Sequence, residues 1–113
     1  MLTEPQKKWL AALRSGEYKQ GKYALKNGEG YCCLGVCAAI AINEGVHAPF
    51  SLESYGSLPR EIAEWVGLQD ERGFPFENSV PSLSGLNDRL GFSFEMIADH
   101  IEKHHALYFK DSE

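Results

Sequence analysis

The stretch "GEGYCCLGVCAAIA", residues 28–41, decides how this chain is read. It carries a turn directly into a segment that has no polar face. From about Cys33 the residues Leu34, Val36, Cys37, Ala38, Ala39, Ile40, Ala41 and Ile42 are apolar on every side until Asn43 and Glu44, and Gly45 supplies a stop. A helix that is apolar all round is a buried helix, so this segment is expected to be the centre of the fold. Three thiols enter it, at Cys32, Cys33 and Cys37. Adjacent residues point to opposite sides of an extended chain, which strains any bond between Cys32 and Cys33. Three is also an odd number, and a reducing compartment disfavours disulfides. The thiols are therefore expected to be free, and the open question is whether they fill space or react.

Immediately upstream, "KYALKNGEGYCCL" reads as a hairpin. Tyr23, Leu25, Tyr31 and Cys33 have strand character, and Asn27-Gly28 accepts the positive φ of a tight turn. The register stays open because the loop can extend to Gly30. Before it, Thr3-Glu4-Pro5-Gln6 starts a helix over about residues 4–15. Thr3 and Gln6 form a capping box, Pro5 is tolerated in the first turn, and Trp9, Leu10 and Leu13 make the apolar stripe.

Downstream, residues 46–57 form a loop with a short strand. Ser57 is expected to cap a helix with Pro59 in its first turn, Ile62, Trp65 and Val66 inward, and Gly67 at its end. Residues 68–81 have turn chemistry and read as a loop or a second short hairpin. Ser82 opens a further helix with Leu83, Leu86 and Leu90 inward and Gly91 terminal. Ser93 caps the last one, with Phe92 and Ile97 at the staple positions and Phe94, Ile97, Ala98 and Ile101 facing the core. Residues 106–113 form a flexible or docking tail whose Leu107, Tyr108 and Phe109, if exposed, would offer a contact patch for a homodimer. The expected fold class is α+β, mainly α: about five short helices around one buried central helix, with a small β-hairpin, in a single domain over residues 1–113.

Composition sets the outer limits. A chain of 113 residues accommodates one domain and buries roughly 65% of its unfolded surface, enough for a core without staples. No apolar run approaches the ~20 residues of a membrane span, and the N-terminus has no secretory pattern, so a cytoplasmic protein is expected. The net charge of −5 is unevenly spread. Residues 1–30 carry six basic side chains (Lys7, Lys8, Arg14, Lys19, Lys22, Lys26) against Glu4, Glu17 and Glu29, which leaves +3 there and −8 over the rest. Such a split can mark a surface for an anionic ligand, although a few lysines on a first helix and hairpin are more often simply solvated. Nucleic-acid binding is not expected, because no arginine-rich or aromatic-interleaved stretch accompanies the lysines. Gly28, Gly30 and Gly35 match neither nucleotide-binding pattern.

Two chemistries compete for the thiols. A cysteine at a helix N-terminus feels the positive end of the dipole, which favours the thiolate. Cysteine proteases use that placement together with an upstream glutamine and a later histidine; Gln20 precedes Cys32 and Cys33, and His47, His100, His104 and His105 follow. Against this, Gln20 lies across the hairpin, and the chain after residue 46 is poor in strands to carry a histidine. Cys33 with Cys37 and His100 with His104 have i, i+4 spacing and could in principle make a zinc tetrahedron. Cys37 sits inside an apolar helix, however, so neither a metal nor any other cofactor is expected. Glu61 with Glu64 and Asp99 with Glu102 read as wet helix faces, and Asn87-Asp88 as capping or turn groups.

Four phrases taken in order, "WLAALRSGEYKQGKYAL", "GYCCLGVCAAI", "LPREIAEWVGL" and "LNDRLGFSFEMIADHIE", resemble a family of small uncharacterised proteins of bacteria and of phage or prophage genomes. The resemblance covers most of residues 8–102, and "YCCLGV" is its most specific part. It implies that Lys19, Gln20 and Gly21, residues 31–36, residues 86–88 and residues 97–99 are characteristic positions, and it brings no activity with it. The function expected on all these grounds is a non-catalytic binding or accessory protein of phage or prophage type. Lys19, Gln20, Lys22, Tyr23 and Tyr31 would present polar and aromatic groups to an anionic small molecule or a host protein. The alternative is a thiol-dependent hydrolase or transferase built on Cys32 or Cys33 with Gln20 and His100.

Overall fold

The computed structural model describes residues 2–77 and 80–110 of the chain. Its first helix, α1 (Glu4–Ser15), begins where the capping chemistry requires. Thr3 accepts the Gln6 backbone N–H, the Gln6 side chain accepts the Thr3 N–H at 2.9 Å, and Gly16 closes the helix in the left-handed region at φ 78°. Trp9, Leu10 and Leu13 are buried. Gln6 is buried with them because its Nε2 donates to the Val66 carbonyl at 2.9 Å, tying α1 to a distant helix end.

The hairpin is shorter than the pattern predicts. Strands β1 (Lys26–Asn27) and β2 (Gly30–Tyr31) pair antiparallel, Lys26 opposite Tyr31 and Asn27 opposite Gly30. The loop is therefore Gly28-Glu29 rather than Asn27-Gly28. The Asn27 side-chain oxygen accepts the Glu29 N–H at 2.9 Å, so the asparagine shapes the turn from its last strand position. Tyr23 and Cys33 lie outside the strands. Tyr23 sits at φ 71°, the one non-glycine residue with positive φ among those described. Cys33 already belongs to α2 (Cys33–Asn43), because Cys32 caps it, its sulfur accepting the Gly35 N–H at 3.4 Å. On the far side of β2, residues 19–21 run parallel: Tyr31 donates to the Lys19 carbonyl and Gly21 to the Tyr31 carbonyl, each at 2.7 Å.

Helix α2 is the buried element the sequence predicts, with seven of its residues out of solvent. Its position depends on Gly35. A Cβ there would collide with the Leu25 carbonyl, so the backbone just before β1 lies directly against the helix. Trp9 donates its indole N–H to the Cys33 carbonyl at 2.9 Å and fixes α1 on the same helix.

Helix α3 (Arg60–Val66) corrects one cap. Pro59, not Ser57, occupies the N-cap position, and its carbonyl accepts from Ile62 and Ala63. Leu58 is held by donating to the Glu71 carbonyl at 3.0 Å, which leaves Ser57 one residue too early to cap. A 3-10 turn, Leu52–Ser54, stands where a short strand is expected. Residues 68–77 form a loop with one bridge, from Leu68 to Phe109; positions 78 and 79 lie outside the described residues.

In α4 (Leu83–Asp88), capped by Ser82 at 3.1 Å, Leu83 and Leu86 point inward, but Leu90 is 56% exposed. The helix ends at Asp88, so Leu90 falls outside its inner face and Asn87 takes the inward place. Helix α5 (Phe94–Lys103) is capped by Ser93 and buries Phe94, Ile97, Ala98 and Ile101, as its spacing predicts. Arg14 of α1 reaches Asp99 and Glu102 on it, both at 2.8 Å. The tail docks. Helix α6 (His105–Tyr108) brings Tyr108 and Phe109 into the core, Phe109 meeting the Trp9 ring edge-on at 6.3 Å. The exposed aromatic patch considered for a homodimer is thus absent, because these rings complete the core under α1; residues 111–113 lie outside the described set.

The described residues thus form an α+β, mainly helical protein with six α-helices and one two-stranded antiparallel hairpin. Of the five helices around α2, it touches α1, α3 and α4 directly, while α5 packs on α1 and α4, and α6 on α5. Among the described residues no helix is long and apolar enough to cross a membrane.

Candidate functional site

The turn that joins α1 to the hairpin carries four of the five residues expected to bind a ligand: Lys19, Gln20, Lys22 and Tyr23. It is held by side-chain amides. Gln20 Nε2 donates to Asn87 Oδ1 and to the Phe92 carbonyl, both at 2.8 Å. Asn87 Nδ2 donates to the Gly21 carbonyl at 2.8 Å and to Asp88 Oδ1 at 2.9 Å. The same Asp88 oxygen accepts the Tyr23 backbone N–H at 3.0 Å, which holds Tyr23 in its left-handed conformation. From the hairpin side, Asn27 Nδ2 donates to the Lys22 carbonyl at 2.8 Å. Asn87 is fully buried, and a buried amide is tolerated there because its donors and its oxygen are all bonded. A non-glycine residue at positive φ costs on the order of 1 kcal/mol or more and persists only where neighbours over-determine it.

Beside this clamp lies a cleft of about 250 Å³ lined by Gln20, Gly21, Lys22, Glu29, Asn87, Gly91 and Phe92. Lys19 and Lys22 are exposed, and among the described residues neither has a carboxylate within ion-pair distance. Tyr23 is 72% exposed. Tyr31, the fifth expected residue, is half-buried behind the turn: its ring meets Tyr18 edge-on at 5.2 Å, and Lys26 Nζ lies 5.1 Å from its centroid. Burial, with Tyr31 and Glu17 adding to it, pushes the Tyr18 hydroxyl above its ordinary pKa. The structure thus brings Gln20 and Lys22 to one cleft, keeps Lys19 and Tyr23 on the adjoining surface, and places Tyr31 as a support.

The groups proposed for thiol chemistry make no hydrogen bonds with one another among the described residues. Cys32 is only 4% exposed, and burial pushes its thiol up to about 11 despite backbone N–H groups acting in the opposite sense. Cys33 and Cys37 are fully buried and also raised, Cys33 by burial first and then by Cys32 and Asp88. Cys33 donates to the Leu83 carbonyl at 3.5 Å. Among the described residues no histidine hydrogen-bonds to a thiol. Both hydrogens on Gln20 Nε2 are taken, so this amide has none to offer an oxyanion. His100 is bonded to a tyrosine instead. Its Nε2 lies 2.7 Å from the Tyr108 hydroxyl, which itself donates to the Pro81 carbonyl at 2.6 Å. Since that carbonyl can only accept, His100 Nε2 carries the proton of the first bond. Burial, then His104 and Lys103, lowers the His100 pKa. No group of three or more His, Cys, Asp or Glu side chains suited to a metal occurs among the described residues.

Asn87 is the site residue whose role the sequence hides. Its signal is an asparagine at the i+4 position from Leu83, on the inward stripe of a short helix.

These features define a class: a small, mainly helical α+β domain with buried thiols and a surface turn clamped by side-chain amides, one of them fully buried. The chain belongs to the family described as a domain of unknown function (DUF8296), whose pattern matches residues 1–105. The match includes α1 to α5 and every residue of the clamp. No curated protein and no solved structure is significantly similar to the chain.

Proposed function

We propose that this protein is a non-catalytic binding protein that holds a small anionic molecule at the 19–23 turn. The observation that carries the reading is the clamp. Gln20 and Asn87 spend their N–H donors, and Asp88 an oxygen, on fixing the turn of residues 20–23, and among the described residues the turn so fixed presents Lys19 and Lys22 without carboxylate partners. A pre-organised backbone lowers the ordering cost of binding, and an unpaired lysine on it supplies a point charge for an anion. The dimensions of the cleft favour a small molecule over a host protein as its occupant. Burial of all three thiols supports a space-filling role for them beneath the hairpin. A phage or prophage accessory role is supported by the "YCCLGV" and accompanying phrases, and a cytoplasmic setting by the three free thiols.

The test is native mass spectrometry of the protein purified from cells, compared with a Lys19→Glu, Lys22→Glu double variant and with Cys32→Ser. The expected result is a non-covalently retained anion in the unaltered protein and in Cys32→Ser that is lost from the double variant. Retention by the double variant, or loss on changing Cys32 alone, overturns the reading.

A further inference from the structure

The amide chemistry of the cleft determines what is left for a ligand to use. Asn87 Nδ2 faces two acceptors, the Gly21 carbonyl and the Asp88 carboxylate, so its Oδ1 is the atom turned toward Gln20. That oxygen and the Phe92 carbonyl can only accept, and both lie 2.8 Å from the same terminal atom of Gln20. This atom must be Nε2, with both of its hydrogens used. What remains of the Gln20 side chain is Oε1, a pure acceptor. It makes no hydrogen bond among the described residues, and none of their buried side-chain polar atoms lacks a partner, so Oε1 is open to solvent. The other polar side chains of the cleft are Lys22, a cationic donor, and Glu29, a second acceptor. A bare anion would satisfy Lys22 and leave Oε1 and Glu29 facing negative charge.

We infer that the ligand of this cleft is a small organic anion that also carries hydroxyl or N–H donors, its anionic group meeting Lys22 and one donor hydrogen meeting Gln20 Oε1. The inference rests on the binding reading above and sharpens it. The volume of about 250 Å³ falls below the ~300–1,000 Å³ of sites for drug-sized ligands, which sets the scale at a small metabolite. Because the clamp orients Gln20 from behind, selectivity comes from the acceptor it exposes: an anion without donors forfeits one hydrogen bond, a loss of roughly threefold to tenfold in affinity.

The experiment follows amide shifts of the full chain by NMR at pH 8 during titration with ribose 5-phosphate, methyl phosphate or ribose. At that pH both phosphates are fully deprotonated, so methyl phosphate has no donor. Ribose 5-phosphate is expected to shift amides of residues 20–22 and 91–92 and to bind roughly tenfold tighter than methyl phosphate. Ribose should be the weakest, and Lys22→Gln, at an exposed position with no partner, should weaken ribose 5-phosphate by about tenfold. Equal affinity for the two phosphates overturns the donor requirement and leaves anion binding standing. Absence of shifts with either phosphate at about 10 mM, a limit near −3 kcal/mol, overturns both. Shifts confined to another surface overturn the assignment of the cleft.

Discussion

Replacing Gly35 by alanine should have the opposite sign from the same change in an ordinary helix. In an exposed helix interior, glycine to alanine stabilises by about 1 kcal/mol. Here the three heavy atoms nearest the added Cβ all belong to the backbone of Leu25, the carbonyl oxygen among them, and backbone cannot swing aside as a side-chain tip can. The Leu25 carbonyl also accepts the Cys32 N–H at 3.2 Å, at the cap of α2, and its own side chain is fully buried. Overpacking a core costs about 1–3 kcal/mol, and an orphaned Cys32 N–H adds about 1–3 kcal/mol. Against the gain in helix propensity, the net destabilisation is on the order of 3 kcal/mol, a large share of the ~5–15 kcal/mol that holds a domain together. Urea unfolding followed by circular dichroism reads this as a fall in midpoint at unchanged slope. Gly28→Ala is the control, since a Cβ there meets nothing within 4 Å, and it should move stability by less than about 0.5 kcal/mol. An unchanged or raised midpoint for Gly35→Ala would refute the claim that the backbone just before β1 sits directly on α2.

The thiols and His100 supply the remaining predictions. With its pKa near 11, Cys32 is thiolate in about one molecule in ten thousand at pH 7, so iodoacetamide should leave all three cysteines of the folded chain unmodified and alkylate all three once urea is added. Reaction of Cys32 or Cys33 in the folded protein at the rate of a free thiol would remove their space-filling role. The folded-state pKa of His100 lies below its ordinary value, so the unfolded chain binds the proton first as pH falls. Stability is therefore full above about pH 6.5 and declines as pH drops from there through the lower folded value. Unfolding midpoints at pH 7.5 and 5.5 measure the decline, and His100→Gln should flatten it; an equal decline in that variant would place the titrating group elsewhere.

The parts of the fold that could be read from sequence are those where one local rule acts alone. Thr3 and Gln6 cap α1 because a capping box needs only residues three apart. The apolar run after Cys33 is buried because no orientation of that helix offers water a polar face. Phe94, Ile97, Ala98 and Ile101 follow the helical period and face the core. The errors fall where a distant contact outbids local chemistry. Ser57 loses the cap of α3 because Glu71 anchors Leu58 and lets the helix start only after Pro59. Tyr23 has strand propensity but is turned to positive φ by Asp88, 65 residues away in sequence.

The candidate site follows the same division, which bears on how its residues are to be weighed. Lys19, Gln20 and Lys22 were legible as a polar segment with excess positive charge, but their individual roles were not. Gln20 looks from sequence like a ligand contact or an oxyanion donor, yet its N–H groups serve Asn87 and Phe92, which leaves only its oxygen without a hydrogen bond among the described residues. Asn87 looks like a turn residue, yet it is the fully buried hub of the clamp because α4 stops before Leu90 can fill the inward place. Two amides facing each other must alternate donor and acceptor to be satisfied, and that alternation is set by the carbonyls of Gly21 and Phe92. Backbone supplied by two different loops thus dictates which atom of Gln20 is left without a partner, so the chemistry of the cleft is a consequence of tertiary structure that no reading of residues 19–23 alone could reach.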